Sequence, residues 1–317
     1  MVRPAQRQLS VGAGLALPAS WRGKVALVCD SAACLPPELV DELKVHIAPL
    51  EMLIDGKTYL DGVDLPPQEF YSLLARCEKF PTTSAPSPAS FIKAFAAGAE
   101  NADAVLCLTL LSTISATYDV AVAAAEMARQ ALPETSIEVM DTQTAAGGQG
   151  LVVLAAARAA AEGADLPQVK AAARRVIQGI DLIAFLDTMH YLWKGGRIPR
   201  VVAWAGSILK LKPLMELSRG EIRPLERPRT RERAMERLLA LTRQRVGDGP
   251  IRANVMHALA LEDALILRER LLAQLNCVEV LVSEFTPVMG THTGPGLLGV
   301  AFYREGSDGV PGVASGY

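Results

Sequence analysis

The sequence predicts an α/β protein whose first half builds a mostly parallel sheet and whose second half is α+β with a mixed or antiparallel sheet. Three observations carry this. Continuously apolar runs at 24–29 and 104–109 have the character of parallel strands buried on both faces. Helical stretches alternate with such runs as far as residue 180, the pattern of a parallel sheet. From residue 182 onward, strand-like segments follow one another with few helices between them. The chain has 317 residues, 50% of them hydrophobic and 21% charged, which is enough core for two domains.

The elements follow in order. The strand at 24–29 ends at Asp30-Ser31, and Pro36-Pro37 sets proline in the first turn of a helix. A strand at 45–50 leads to a hairpin at 53–59 turned by Asp55-Gly56. Pro67 opens a helix to about 79, and Ser87-Pro88 another to about 99. The pattern then repeats: strand 104–109, polar loop 112–117, alanine-rich helix to 132, strand 137–140, long helix to about 162. The second half holds strands at 182–186, 213–217, 221–226, 251–257, 278–285 and 297–303, with helices at 229–245 and 262–275. The organisation read from this is a disordered extension over 1–20, a Rossmann-like α/β domain over 21–180, and an α+β domain over 181–317.

Composition excludes several functions. Thirty-two basic against thirty-four acidic residues give a net charge of −2, without the basic excess that nucleic acid demands. Aromatic residues are 5% of the chain, too few for base-stacking platforms. The five cysteines are odd in number with no C-x-x-C pair, so they read as free thiols of a reducing cytoplasm. The apolar run at 11–19 is broken by glycine and proline, which argues against a signal peptide, and no charge-free stretch is long enough to span a bilayer. The reading is a soluble cytoplasmic protein. The phosphate loop G-x-x-x-x-G-K-[ST] and the nucleophile elbow G-x-S-x-G are both absent, and the G-x-G-x-x-G at 294–299 lies too near the C-terminus for a dinucleotide unit. No cofactor or metal is expected.

The chemistry-bearing residues converge on a small anionic group. His292 stands between Thr291 and Thr293 in a loop that also holds Gly290, Gly294 and Gly296. Hydroxyl-rich loops at Asp30-Ser31, Thr82–Ser84, 112–117 and Asp141-Thr142 follow successive strands. Singly each is a turn or an N-cap; together they line one sheet edge with hydroxyls and helix N-termini, which suits a carboxylate or phosphate. The basic segments 193–200 and 227–231 are either solvated charge or a docking patch. A Ser115–His292–Asp141 hydrolase could be assembled only by arbitrary choice.

Six motifs in register resemble the DegV family over about 25–303. They are Asp30-Ser31 with Leu35-Pro36, Thr83-Ser84-Ala85-Pro86-Ser87, residues 111–118, Asp141-Thr142, Lys194-Gly195-Gly196-Arg197-Ile198, and residues 290–296. That family comprises fatty-acid-binding proteins, including the lipid-carrying subunit of bacterial fatty-acid kinase. The resemblance implies a long-chain fatty acid (palmitate, stearate or oleate) in a tunnel between the two domains. It implies a carboxylate held by Thr83, Ser115 and His292, with Ser31, Ser84, Ser112, Thr117, Thr291 and Gly294 in supporting loops. Arg229 and Arg197 would serve kinase docking or phosphoryl handling. The chain itself would carry no catalytic residue: it would take its cargo in transient contact with a membrane and present it to a separate ATP-dependent kinase, yielding acyl phosphate for phospholipid synthesis. Ala85 stands where the family has Gln, and Ala116 where it has Gly. The alternatives are a lipid carrier without a kinase role and, less favoured, a serine hydrolase.

Overall fold

A computed structural model describes residues 23–197 and 211–306. The extension read at 1–20 and the end of the basic segment at 198–200 lie outside them. The strands, in chain order, are β1 (Gly23–Asp30), β2 (His46–Ala48), β3 (Glu51–Ile54), β4 (Lys57–Leu60), β5 (Thr82–Ser84), β6 (Ala102–Thr109), β7 (Ser136–Asp141), β8 (Asp181–Phe185), β9 (Leu214–Ser218), β10 (Glu221–Glu226), β11 (Ile251–His257), β12 (Cys277–Glu284) and β13 (Leu298–Arg304). The helices are α1 (Pro37–Glu42), α2 (Pro67–Leu74), α3 (Pro88–Ala99), α4 (Thr117–Ala131), α5 (Ala146–Ala161), α6 (Leu166–Gly179), α7 (His190–Gly195), α8 (Arg231–Val246), α9 (Leu261–Gln274) and α10 (Pro287–Thr293).

β2-β1-β6-β7 form an all-parallel sheet. Its strands are apolar on both faces because both are covered. Ala26 and Val28 point to Phe91, Phe95 and the alanines of α3 and α4, while Val25, Leu27 and Cys29 point to α5 and α6. The second sheet, β10-β9-β8-β13-β11-β12, is antiparallel except for the parallel pair β11–β12. Ile183, Phe185, Val255 and Val300 pack under α8 and α9, whereas Ala184, Met215, Met256 and Ala301 face the other way and join the core around α5. A small antiparallel sheet, β4-β3-β5, completes the fold; its hairpin turn puts both Asp55 (φ 46°) and Gly56 (φ 84°) in the left-handed region, as a type I′ turn requires. Among the described residues, no helix is long and apolar enough to cross a membrane.

α5 has no polar stripe. Twelve of its sixteen residues are buried because sheets lie on both sides of it. Its glycines permit that approach: a Cβ at Gly147 would come within 2.7 Å of Met256, and one at Gly150 within 2.8 Å of the Ala33 carbonyl oxygen.

Some elements differ from the sequence reading. Residues 82–84 form strand β5, because Thr83 pairs with Met52. Most of the 286–296 segment is helix α10, opened by Pro287 and masked in the sequence by its glycine and threonines. α6 carries an Asp165/Gln168 capping box, a start signal the reading passed over, and α7 was also not foreseen. α8 begins at Arg231 rather than 229, since Thr230 is its N-cap and accepts from the Arg233 N–H at 3.2 Å. α2 ends at Leu74, short of 79.

The packing of α5 gives a contrast between two glycines. Gly150→Ala should destabilise the fold by about 1–3 kcal/mol, since backbone rather than a flexible side chain must yield. Gly179→Ala, at the open C-terminal end of α6, should be neutral or stabilising by up to about 1 kcal/mol. Chemical denaturation of both variants checks this; equal stabilities would contradict the proposed tightness of α5.

Candidate functional site

Between the two large sheets, beyond the N-terminal end of α5, lies a cavity of about 380 Å³, within the size range of ligand pockets. Its walls are apolar: Leu50, Ile114, Leu182, Leu186, Met215 and Leu217 are among them. Ala116, just before α4, and Ala145-Ala146, at the start of α5, also line it, so two helices begin at its edge. The N-cap residues, Ala116 and Ala145, offer no side-chain cap, and helix N-termini favour negative charge. A wider open cleft between residues 35–38 and α9, about 1190 Å³, contains none of Thr83, Ser115 and His292.

Polar side chains enter the apolar cavity from separate elements. Thr83, on β5, meets His292 at the end of α10, with Oγ1 2.8 Å from Nε2. The Arg197 guanidinium follows α7 and reaches the Thr83 carbonyl and hydroxyl, both at 3.4 Å, while it also donates to the Gly195 carbonyl at 2.8 Å. Ser115 lines the same cavity; its Oγ lies 2.8 Å from Thr117 Oγ1 and accepts from the Thr117 N–H at 3.2 Å. Burial, together with the neighbouring Arg197 charge, pushes the His292 ring down to about 4. The ring is therefore uncharged at neutral pH, with one nitrogen that donates a hydrogen bond and one that accepts. Glu216 also touches the cavity but is engaged by Arg245, so it brings no free charge.

Of the residues expected from the sequence, Thr83, Ser84, Ser115, Arg197 and His292 come together around this cavity. The others sit behind it. Ser31 is buried and donates to Asp61 at 2.6 Å; Ser112 donates to Asp141 at 2.7 Å; Thr117 is the first residue of α4. Thr291 turns away to the Pro287 carbonyl (3.0 Å) and the Met52 sulfur (3.3 Å). Gly294 caps α10 at φ 72°, where a Cβ would fall 2.1 Å from the Tyr191 ring. Arg229 is exposed and outside the cavity lining, just before the cap of α8. The Ser115–His292–Asp141 grouping is not assembled as a relay: His292 bonds Thr83, and Asp141 accepts from Ser112 and the Gln143 N–H.

Two contributors escaped the sequence reading. Gly195 belongs to a motif but had no role assigned; a Cβ there would stand 2.5 Å from His292 Nδ1, so only glycine lets the ring seat where it does. Asp61, which bonds the N-terminus of α10, gives no local signal, since its side-chain partners are Ser31 and Val288, 30 and 227 residues away.

The geometry can be set beside known proteins. The profile of the DegV family, described as uncharacterised proteins, matches residues 24–305. A DegV domain-containing protein of Clostridium perfringens is 31% identical over 282 residues, covering 89% of this chain and 99% of its own. A fatty-acid-binding DegV family protein of Thermus thermophilus has a similar structure, with a TM-score of 0.80 at 34% identity, over 89% of this chain and 100% of that one. DegV of Bacillus subtilis, a fatty-acid-binding protein, gives 0.76 at 28% identity over 89% and 100%. The match spans both large sheets and every element that lines the cavity, and on that extent this chain belongs to the DegV family.

Proposed function

We propose that this protein binds a long-chain fatty acid in the cavity between a domain over 21–180 and a domain over 181–317, with the carboxylate at Thr83, Ser115 and His292. The observation that carries the reading is the meeting of a Thr83–His292 pair with apolar walls in one cavity. Fatty-acid binding by the Thermus and Bacillus relatives supports it. Energetics favour an amphiphile: at ~0.8 kcal/mol per methylene, burying a roughly 16- to 18-carbon tail offers on the order of 12 kcal/mol before ordering costs. A few uncharged donors then suffice for the head, and Arg197 supplies a nearby cation.

In this reading the chain presents rather than catalyses. It takes the fatty acid during a transient contact with a membrane surface in the cytoplasm, shields the tail, and offers the carboxylate to a separate ATP-dependent fatty-acid kinase. The acyl phosphate then feeds phospholipid synthesis. Arg229, exposed just before the cap of α8, is the contact this reading offers to that partner, and Arg197 would meet charge developing at the head.

Native mass spectrometry of the purified protein, with lipid extraction, should find one fatty acid per chain. No lipid, and no uptake of added oleate or palmitate, overturns the binding claim. With a purified fatty-acid kinase and ATP the cargo should become acyl phosphate, whereas the chain alone should turn over neither ATP plus oleate nor esters. Cargo that binds yet is never phosphorylated would leave a carrier without a kinase role.

His292→Ala should weaken cargo binding by about 1–3 kcal/mol, roughly 5- to 150-fold, and impair phosphorylation more than tail binding. Gly195→Ala should act in the same direction by displacing the ring. Wild-type phosphorylation of cargo bound to His292→Ala would sink the headgroup assignment.

A further inference from the structure

Asp61 is 2% exposed and yet carries a carboxylate. Burial pushes its pKa up, while the bonds it accepts pull the other way. A group held at that cost normally has a full set of partners. Here Oδ2 accepts from the Ser31 hydroxyl at 2.6 Å and Oδ1 from the Val288 N–H at 2.9 Å. Ser31 Oγ in turn accepts from the Leu50 N–H at 3.1 Å, and the Asp61 N–H returns to the Leu50 carbonyl at 2.8 Å. The result is a closed ring of bonds through Ser31, Leu50 and Asp61, with one arm reaching Val288.

Each end of this ring touches the site. Leu50 and Val288 both line the cavity. Leu50 directly precedes β3, and β3 pairs with β5 through Met52 and Thr83, so the ring fixes the strand pair that carries Thr83. Val288 is in the first turn of α10, and His292 lies one helical turn further on. α10 has no side-chain cap of its own; its Val288 N–H, an orphan donor of the first turn, is satisfied by Asp61 from another part of the chain. A negative group at that end also suits the helix dipole. Thr291 adds a second tie between the same two elements by pointing its hydroxyl at Met52.

We infer that Asp61 is a positioning residue of the cavity, holding α10 against the small β3–β5 sheet so that His292 meets Thr83 at bonding distance. It touches no cargo atom and acts through the placement of the ring. The inference rests on the fatty-acid reading only for the identity of the cargo, because the His292–Thr83 distance is a property of the protein alone.

The test compares Asp61→Ala, Asp61→Asn and Ser31→Ala with the wild type, reading two quantities: oleate affinity, and the titration of the His292 ring by NMR in delipidated protein. Asp61→Ala leaves the Val288 N–H and the Ser31 hydroxyl without acceptors, so oleate affinity should fall about tenfold or more. The loosened His292 ring should titrate nearer the ordinary histidine value than the wild type, whose ring is held down at about 4. Asparagine can still accept from Val288 while donating to Ser31 Oγ, so Asp61→Asn should stay within about threefold of the wild type. Ser31→Ala, which spares the Val288 bond, should shift both readouts in the direction of Asp61→Ala but less, and it decides the matter if Asp61→Ala does not fold. Wild-type His292 titration in both Asp61→Ala and Ser31→Ala overturns the inference, as does Asp61→Asn proving as impaired as Asp61→Ala. Since the titration is read without cargo, a wild type that binds no oleate counts against the ligand reading and not against this one.

Discussion

The seating of α5 between two sheets is the constraint on which the rest of the molecule depends. A helix buried on all sides has to be apolar and narrow, and the run Ala146–Ala161 is built of alanine, glycine, valine and leucine with few exceptions. Its interior polar residues stitch it to the two sheets. Gln149 donates to Asp30 at the end of β1 (3.0 Å), and Arg158 makes a bidentate pair with Glu279 on β12 (2.9 and 2.6 Å). Asp30 also accepts from the Ala32 and Leu110 N–H groups, so this desolvated carboxylate, its pKa pushed up to about 7 by burial, is held by three donors. The Glu279 pair is tightened further by Arg252. With α5 fixed at both stitches, its N-terminal end stops where the cavity begins, and Ala145 and Ala146 become part of the wall.

With a fatty acid bound as proposed, the cavity would separate two physical tasks. Its apolar walls supply affinity in proportion to buried methylenes, with little directional demand. Its polar end supplies orientation through bonds whose net worth is only about 1 kcal/mol each but whose loss leaves buried groups unsatisfied. The order of energies implies that the tail decides whether an amphiphile binds and the head decides how it lies. A neutral His292 fits that division. Holding the ring uncharged avoids a buried unpaired cation when the cavity is empty, while Thr83 and Arg197 remain beside it.

Much of this was legible in the sequence, and what was missed shares a cause. The bounds of β10 and β11 agree with the sequence reading because Gly220 and Gly249-Pro250 punctuate their starts. Thr83, Ser115 and His292 were singled out from local motifs, and the structure brings them to one cavity. β5 and α10 were read as loops because each owes its shape to distant partners: three residues pairing with β3, and seven residues whose first turn is capped by Asp61. Asp61 itself sits in an ordinary Leu60-Asp61-Gly62 sequence, and nothing within several residues marks it as buried. Ser31 and Ser112 are the converse case: their motif position is prominent, and their hydroxyls bond Asp61 and Asp141 behind the cavity rather than lining it.

The two arginines at the start of α8 show how neighbouring charges divide. Arg231 is committed internally: it bonds Asp263, donates to Asp187 at 2.9 Å, and donates to the Gly296 carbonyl at 2.6 Å. Gly296 closes the turn that follows α10, and a Cβ there would collide with Asp187 at 2.5 Å, so this cluster clamps the C-terminal side of the segment that carries His292. Asp61 clamps its N-terminal side. Arg229, two residues before Arg231, is exposed and takes no part in the clamp. Under the proposed function, a partner docking on Arg229 would therefore sit two residues from Arg231, whose bond to the Gly296 carbonyl anchors the turn that follows His292.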